Sequence, residues 1–416
     1  MAEERSSRAA QFERAASLLT EYGSYLYLGF LLIDWGESFR NIGIFTAALG
    51  WTALAFRRKL RLPHLPVIVF YCLYLLTALV SSALSIDPSY SFGALRSDLL
   101  RPTLILLIIA TFYDREMLKR TCLVFGVVSL VVLGLGLHGF LTLGTGFYTT
   151  ETAFLSLDKN EFGFYAVYLL PFLAFCAYRS AGAQRVFWAG VSAWCLLASV
   201  LAASRGSIIG LFGMLGLWAA AALGRRHLLR ALAAAAIAAA VAAASFSIWP
   251  KPLQTTVITL PEHIVTMNQR TDFFWKPAMQ AVGKRPLFGW GYGKKLYRDV
   301  RPFEGTDKPN WNLRGGLHST FVTLLFHQGA AGLLAYCGLL VCCGLVLLRL
   351  PASVPRDLRL LGVLLAGLVA GGFVLNSLVL NVPLRRLAPL AGMAAALPAL
   401  RQNSEQEDPD ADSDRP

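Results

Sequence analysis

Long apolar stretches alternate with short polar connections along most of the 416 residues. A transmembrane helix needs about 20 consecutive, mainly apolar residues, because the hydrocarbon core of a bilayer is about 30 Å thick. The pattern therefore predicts about twelve such helices in an all-α polytopic integral membrane protein. They centre on residues 18–33, 42–56, 67–84, 99–112, 121–141, 162–178, 186–203, 208–223, 228–249, 319–348, 358–379 and 384–400.

One long polar stretch divides this pattern. Residues 250–317 separate the predicted helices of 1–249 from those of 318–400. Loops of this length are uncommon unless they have a function, and the helical spacing around Phe274 predicts amphipathic helices over the membrane surface. We expect 250–317 to form one large loop outside the bilayer. The acidic segment 401–416 is predicted to be a disordered cytoplasmic tail.

Composition agrees with the membrane class. Hydrophobic residues make up 56% of the chain and charged residues 15%, whereas a soluble domain is about half apolar and a quarter charged. All seven cysteines lie within the apolar stretches. We therefore expect them to pack in the interior, with neither a disulfide framework nor a zinc site.

The distribution of charge predicts the orientation. The short basic connections 57–61, 115–120, 179–185, 225–230 and 349–359 fall on one side when the amino end is inside, which is the cytoplasmic side by the positive-inside rule. The long loop then faces outward, although residues 251–317 hold eleven Lys or Arg against five Asp or Glu. Such an excess of positive charge predicts that the loop binds an anion, most simply a phosphate group.

Arg205 and Arg270 are the arginines that stand out. Arg205 lies in a short polar break between two apolar stretches, where it either anchors a helix end at the interface or binds an anion inside the bundle. Arg270 begins the loop segment that leads to Trp275 and then to the glycine-rich residues 285–293. These glycines lack a preceding strand pattern, so they are weak evidence for nucleotide binding.

His318 starts the apolar stretch after the loop. A helix amino terminus disfavours imidazolium, so a neutral ring there suits a general base, while a simple polar cap is the alternative. His327 lies two and a half turns further on, nearly on the opposite face of one helix. The two histidines are therefore not expected to form one metal site.

Several of these elements together resemble the O-antigen ligase and polymerase superfamily. The layout of about a dozen helices with one large outer loop is also similar. Ser319 stands where the superfamily often has Asn. Within it, the lipopolysaccharide O-antigen ligases are most similar in length and in the basic loop. The elements that carry the resemblance are Ser204-Arg205, Arg270 with Trp275, Pro286-Leu287-Phe288-Gly289-Trp290-Gly291, and His318 with Gly329 and Gly332.

The resemblance implies a glycosyltransferase with a GT-C-like fold in the inner membrane of a Gram-negative bacterium. Its donor is undecaprenyl-diphosphate-linked O-antigen and its acceptor a sugar hydroxyl of lipid A core, joined at the periplasmic face with inversion. His318 would act as the general base, and Arg205 and Arg270 would bind the diphosphate. The protein would function as a monomer among membrane lipids. No metal, cofactor or nucleic acid is expected. Contacts to core phosphates are expected from Lys294, Lys295, Arg298 and Arg301.

Two other interpretations stay open. An O-antigen polymerase or a protein O-oligosaccharyltransferase would use the same arginines and histidine with another acceptor. A transporter or flippase for a lipid-linked anion would place ionisable groups near the middle of its spans.

Overall fold

The chain folds into a bundle of long helices. This computed structural model describes residues 2–33, 36–57, 59–143, 149–152, 155–202, 204, 206–221, 274–293, 295–300, 317–378 and 384–400. Every predicted transmembrane segment has a helix in these ranges except 228–249, which lies outside them. The loop 250–317 is described only in part, and the predicted tail 401–416 lies outside the described residues.

The first eight helices cover the amino-terminal half. They are α1 (Ala2–Gly29), α2 (Glu37–Phe56), α3 (Leu65–Ala83), α4 (Pro88–Phe112), α5 (Arg115–Leu143), α6 (Lys159–Arg179), α7 (Gly182–Leu201) and α8 (Gly206–Ala221). Two antiparallel strands, β1 (Thr149–Thr152) and β2 (Leu155–Asp158), form a hairpin before α6, with Thr149 opposite Asp158. The hairpin is short, and the rest of the secondary structure in the described residues is helical, as the sequence predicts.

The remaining helices follow the loop. They are α9 (Lys276–Lys284), α10 (Leu296–Asp299), α11 (Thr320–Leu348), α12 (Arg356–Leu368) and α13 (Leu384–Ala396). A π-helical segment, Val369–Leu375, and a 3₁₀ turn, Asn376–Leu378, extend α12, and a second 3₁₀ turn, Leu397–Ala399, extends α13.

Five helices of the described ranges are long and apolar enough to cross a membrane. They are Leu65–Ala83, Arg115–His138, Asn160–Arg179, Thr320–Leu348 and Arg356–Leu378. Helix α4 is 25 residues long, but Arg96, Asp98 and Arg101 interrupt its apolar sequence. The helices agree with a multi-pass membrane protein, while the number of about twelve spans stays a prediction.

Glycines allow close contact between α1 and α2. A Cβ atom at Gly23 would lie 2.5 Å from the Ala47 backbone nitrogen, and one at Gly43 would lie 2.6 Å from that of Tyr27. Small residues let helix backbones approach closely, which is how helices associate where no hydrophobic effect operates between them. The first two helices are thereby fixed as a pair beside the rest of the bundle.

Ion pairs gather the helix ends on one side of the bundle. Asp357, at the start of α12, contacts Arg115 at the start of α5 and Arg179 at the end of α6. These three residues belong to connections that the charge distribution predicts to be cytoplasmic. We call this side the Asp357 end, and the opposite ends of α6 and α12 belong to the His318 end.

Candidate functional site

His318 immediately precedes the amino terminus of α11. Ser319 is the cap: its Oγ lies 3.5 Å from the Val322 backbone nitrogen, which donates to it, and 3.2 Å from the carbonyl oxygen of Ser377. Serine is among the residues preferred at this capping position. In the part of the chain that the structure describes, His318 is the one non-glycine residue with positive φ, at 52°. Such a backbone is sparsely populated and often marks a functional position.

Two aromatic residues from the loop hold the chain at His318. The Phe274 ring meets the imidazole edge to face, with 5.6 Å between the centroids. Trp275 donates its indole N–H to the Leu317 carbonyl oxygen at 2.9 Å. The segment that follows Arg270 in sequence is therefore attached next to His318, although Arg270 itself lies outside the described residues.

Helix α11 is broken at Gly329, whose φ of 64° and ψ of −163° are not helical. Residues 286–291 cross the break and pair with the backbone groups that it frees. We call this contact the joint. A broken helix at membrane depth needs such partners, because lipid offers none. The pairs are Trp290 N–H to Phe326 O at 2.9 Å, Gly291 N–H to His327 O at 3.1 Å, Ala330 N–H to Pro286 O at 2.8 Å and Ala331 N–H to Leu287 O at 3.1 Å.

Only glycine fits on both sides of the joint. A Cβ atom at Gly329 would lie 2.6 Å from the Phe288 backbone nitrogen and would overlap the Leu287 carbonyl group. One at Gly289, where φ is 67°, would lie 2.5 Å from the Phe326 carbonyl oxygen. Gly289 thus serves backbone contact with α11, whereas a Cβ atom at Gly291 would meet Ser85 and one at Gly293 would meet Tyr90. Close packing accounts for these glycines without a nucleotide.

His327 lies beside the joint and is 6% exposed. Its Nδ1 is 2.8 Å from the Gly291 carbonyl oxygen. A carbonyl oxygen only accepts, so Nδ1 carries the proton. The ring also lies 4.9 Å from that of Tyr297. His327 therefore has a defined orientation set by the loop.

Both histidines line one cavity, which corrects the expectation of opposite faces. The helical spacing does not apply, because His318 lies before the cap of α11 with a left-handed backbone. The cavity has a volume of about 570 Å³ and is bounded by α1, α2, α3, α4, α6, α11, α13 and residues 292–297. Its charged lining residues are Glu37, Arg40, Asp98, Arg101, Glu161 and Arg385, and its tyrosines are Tyr27, Tyr74, Tyr292, Tyr297 and Tyr336.

Some of these charges support the cavity wall. Arg40 donates to the carbonyl oxygens of Phe30 at 3.1 Å and Ile33 at 2.7 Å, so it satisfies the end of α1. Arg101 donates to Glu37 at 3.0 Å, and this hydrogen bond and the positive charge hold the pKa of Glu37 below its ordinary value. Basic and acidic side chains are thus neighbours on the cavity wall.

Neighbouring arginines at the start of α13 have different surroundings. Arg385 lines the cavity. Arg386 is 1% exposed, lies over the rings of Phe164 and Tyr165, donates to the Tyr165 hydroxyl at 2.6 Å and lies 3.4 Å from Glu161 Oε1. Arg386 thus joins α13 to α6, whereas its neighbour Arg385 lies on the cavity wall.

The other predicted site residues are described only partly. Arg205, Arg270, Lys294 and Arg301 lie outside the described residues, and of Arg298 only its place in α10 is described. Before Arg205, the Ser204 hydroxyl donates to Asn160 Oδ1 at 3.1 Å, and Asn160 lines the cavity.

Lys295 forms a pair outside the cavity lining. Its Nζ lies 3.1 Å from Asp87 Oδ2 and 5.3 Å from the centre of the Tyr90 ring. A hydrogen bond from the Tyr90 backbone N–H, followed by the one from Lys295, holds the pKa of Asp87 below its ordinary value. The expected contact of Lys295 with core phosphates stays a prediction.

The structure adds cavity residues that the sequence did not single out. Asp98 and Arg101 lie inside α4, which begins at Pro88 and so extends eleven residues before the predicted centre 99–112. Ionisable residues within a transmembrane helix are by default functional candidates, and that signal was available for Asp98, Arg101 and Arg385. Among the described residues, no three His, Cys, Asp or Glu side chains are grouped as a metal site requires.

A polar cavity with histidines, arginines and carboxylates, enclosed by long helices, is the arrangement expected of a binding or catalytic site inside a membrane protein. The family model described as O-Antigen ligase matches residues 190–337. That segment contains the joint, His318 and His327. This match covers 148 of the 416 residues and supports the resemblance to the O-antigen ligase and polymerase superfamily. No curated protein matches the chain.

Proposed function

We propose that this protein is an O-antigen ligase. It transfers O-antigen polysaccharide from undecaprenyl diphosphate to a sugar hydroxyl of lipid A core, at the periplasmic face of the inner membrane. The observation that carries the proposal is His318, held at positive φ on the wall of a 570 Å³ cavity, inside the segment that the O-antigen ligase family matches.

The reaction requires a proton acceptor and an anion site. His318 accepts the proton of the acceptor hydroxyl as the hydroxyl oxygen attacks the anomeric carbon. The bond from that carbon to the diphosphate oxygen breaks, and undecaprenyl diphosphate leaves with the bonding electrons. Attack from the opposite face inverts the anomeric centre. A positioned base of this kind accounts for a factor of about 10² to 10⁴ in rate.

Arg205 and Arg270 are proposed to bind the diphosphate, because guanidinium groups make bidentate contacts with phosphate oxygens. Their neighbours support this role. Arg270 is four positions before Phe274, which contacts His318, so the two α-carbons are at most about 14 Å apart. Arg205 follows Ser204, which is bonded to the cavity residue Asn160. Arg385 lies on the cavity wall and can complete the anion site.

The acidic and aromatic part of the cavity suits the acceptor. Carboxylates such as Asp98 accept hydrogen bonds from sugar hydroxyls, and five tyrosines line the same space. A phosphorylated lipid A core would meet the basic residues Lys294, Lys295, Arg298 and Arg301 further along the loop. In this proposal, loop 250–317 acts as a lid, no cofactor or metal takes part, and one monomer suffices.

The experiment is reconstitution of the purified chain with a defined lipid-linked donor and lipid A core. His318→Asn is the informative variant, since Asn tolerates positive φ better than most residues and preserves the backbone. We expect ligation to fall by about 100-fold or more, with the thermal unfolding midpoint unchanged. Ligation at the rate of the unmodified protein would exclude His318 as the base.

The same assay separates the related functions. Lipid A core, free donor chains and an acceptor peptide are supplied in parallel. A product on lipid A core alone supports the ligase. Elongated donor chains indicate the polymerase, and a glycopeptide the oligosaccharyltransferase. Movement of donor across the bilayer without any product would indicate a flippase.

A further inference from the structure

A second concentration of charge lies at the Asp357 end, far along the helices from His318. Asp357 Oδ2 lies 2.7 Å from Arg179 Nη1, 3.3 Å from Arg115 Nη2 and 3.8 Å from Lys119 Nζ. One carboxylate of α12 is thus shared by three cations from α5 and α6. A single negative charge cannot neutralise them, and the second carboxylate nearby, Glu116, forms its ion pair with Lys119.

Two more arginines face the same concavity. Arg185, near the start of α7, and Arg356, at the start of α12, have no ion-pair partner in the described part of the chain. We call the concavity the basic pocket. It is shallow and open to its surroundings, and it is lined by Arg115, Arg179, Arg185, Arg356, Asp357, Tyr178 and Pro355. Counting Lys119 and Glu116, five cations meet two carboxylates here.

The position of the basic pocket indicates what it binds. It lies at the ends of Arg115–His138, Asn160–Arg179 and Arg356–Leu378, all long and apolar enough to cross a membrane. The ends of spanning helices lie at the level of the lipid headgroups. Tyr178 is 45% exposed at the rim, as is usual for tyrosine at that level. Guanidinium groups on several helices provide the forked donors that a phosphate accepts.

The positive-inside rule alone does not explain this arrangement. It predicts basic residues on the cytoplasmic side, but not their convergence. Arg349 and Arg359 satisfy the rule equally well: they are exposed in the same connections, and neither lines the pocket. The convergence of four arginines from α5, α6, α7 and α12 on one concavity needs a second reason.

We propose that the basic pocket binds the phosphate of an anionic phospholipid headgroup in the leaflet at the Asp357 end. The headgroup phosphate would pair with Arg185 and Arg356 while Asp357 retains Arg115 and Arg179. The lipid would thereby hold α5, α6, α7 and α12 together. Helix α12 continues from this pocket to Ser377, which contacts the cap of α11 beside His318.

Native mass spectrometry of the full chain tests the proposal directly. The purified protein is titrated with phosphatidylglycerol and, separately, with phosphatidylcholine. The test variant is Arg185→Gln with Arg356→Gln, and the matched control is Arg349→Gln with Arg359→Gln. A basic residue near the membrane surface contributes about fivefold to anionic lipid binding. We therefore expect the test variant to retain about 25-fold less phosphatidylglycerol, and the control to match the unmodified protein.

Several outcomes would overturn the proposal. Equal binding of the two lipids by the unmodified protein would contradict the proposal. A control variant that loses as much lipid as the test variant would also contradict it, because binding would then depend on the general electrostatic attraction of a basic surface. Displacement of phosphatidylglycerol by inorganic phosphate at millimolar concentration would show that the pocket takes a soluble anion.

A second variant checks the site through stability. Asp357→Asn leaves Arg115 and Arg179 without their carboxylate, so a bound headgroup should replace it. We expect phosphatidylglycerol to raise the unfolding temperature of this variant more than that of the unmodified protein. An equal or smaller increase would contradict a headgroup in contact with this cluster.

Discussion

The two ends of the bundle differ in the exposure of their charged residues and in the regularity of their backbone. At the Asp357 end the helices α5, α6 and α12 begin or end regularly, and Arg115 and Arg179 keep 47% and 41% of their side chains exposed. At the His318 end, arginines and carboxylates line an internal cavity, α11 is broken and His318 has positive φ. Irregular backbone costs about 1 to 3 kcal/mol per residue. Its concentration at one end indicates where function required it.

Helix α12 shows the contrast within one element. It starts regularly at Arg356 and becomes a π-helix over Val369–Leu375 as it approaches the cavity. Gly371 packs directly against Gly210 of α8 there. The Asn376 side chain that follows is fully buried, and neither of its amide atoms has a hydrogen-bond partner within the described residues. π-segments are frequent at functional sites, and the turn that follows this one contains Ser377, whose carbonyl oxygen contacts the Ser319 cap beside His318.

The largest effect is expected from Gly329→Ala. Its φ and ψ fall in a region that is essentially restricted to glycine, and a Cβ atom would overlap the Leu287 carbonyl group. We expect the joint to open, with a loss of about 3 kcal/mol in the free energy of unfolding and loss of ligation. Thermal unfolding in detergent and the reconstituted assay measure the two effects.

Gly344 is the matched control on the same helix. A Cβ atom there would meet only Val369 Cγ1, at 3.9 Å. Alanine is a better helix former than glycine by about 1 kcal/mol, so Gly344→Ala should be neutral or stabilising. If both variants unfolded at the same temperature, the irregular backbone at the His318 end would not have the importance that the comparison gives it.

The neighbouring arginines of α13 sharpen the comparison at the level of charge. Arg386→Met should lower the free energy of unfolding by about 2 kcal/mol, because Glu161 loses its partner; a fully buried pair would lose more, but Glu161 is 35% exposed. Arg385→Met should change stability little and lower ligation about tenfold or more, since Arg385 lines the cavity. Unfolding and turnover are measured for both variants. The assignment fails if the two show the same pattern.

The apolar pattern was sufficient to place the helices and to set His318 at a helix start, since both depend on local sequence. The break at Gly329 could not be predicted, because Thr320–Leu348 is continuously apolar and the partners of its freed backbone groups come from residues 286–291. The sequence did not single out Asp98, since the charges of α4 interrupt its apolar pattern and conceal the start of that helix. The cavity joins Glu37, Glu161 and Arg385, which only tertiary packing brings together.

The smallest effect concerns an exposed pair at the His318 end, Asp87 with Lys295. If exposure decides the role of a charge, this pair should behave like those at the Asp357 end and contribute only to stability. The pKa of Asp87 is lowered in the folded protein. Its contribution is therefore fully present above the unfolded pKa of about 3.9 and is lost as the pH falls through the folded value.

Asp87→Asn should accordingly unfold at a slightly lower temperature than the unmodified protein at pH 7, and the difference should shrink below about pH 4. Ligation should be unchanged. Lys295→Ala provides the decisive comparison, because Lys295 is also proposed to meet core phosphates. An increased KM for lipid A core in Lys295→Ala, but not in Asp87→Asn, would give the lysine a role in substrate binding beyond its partner. Equal effects of both variants on stability alone would make Lys295 structural and would confine substrate contacts to the cavity.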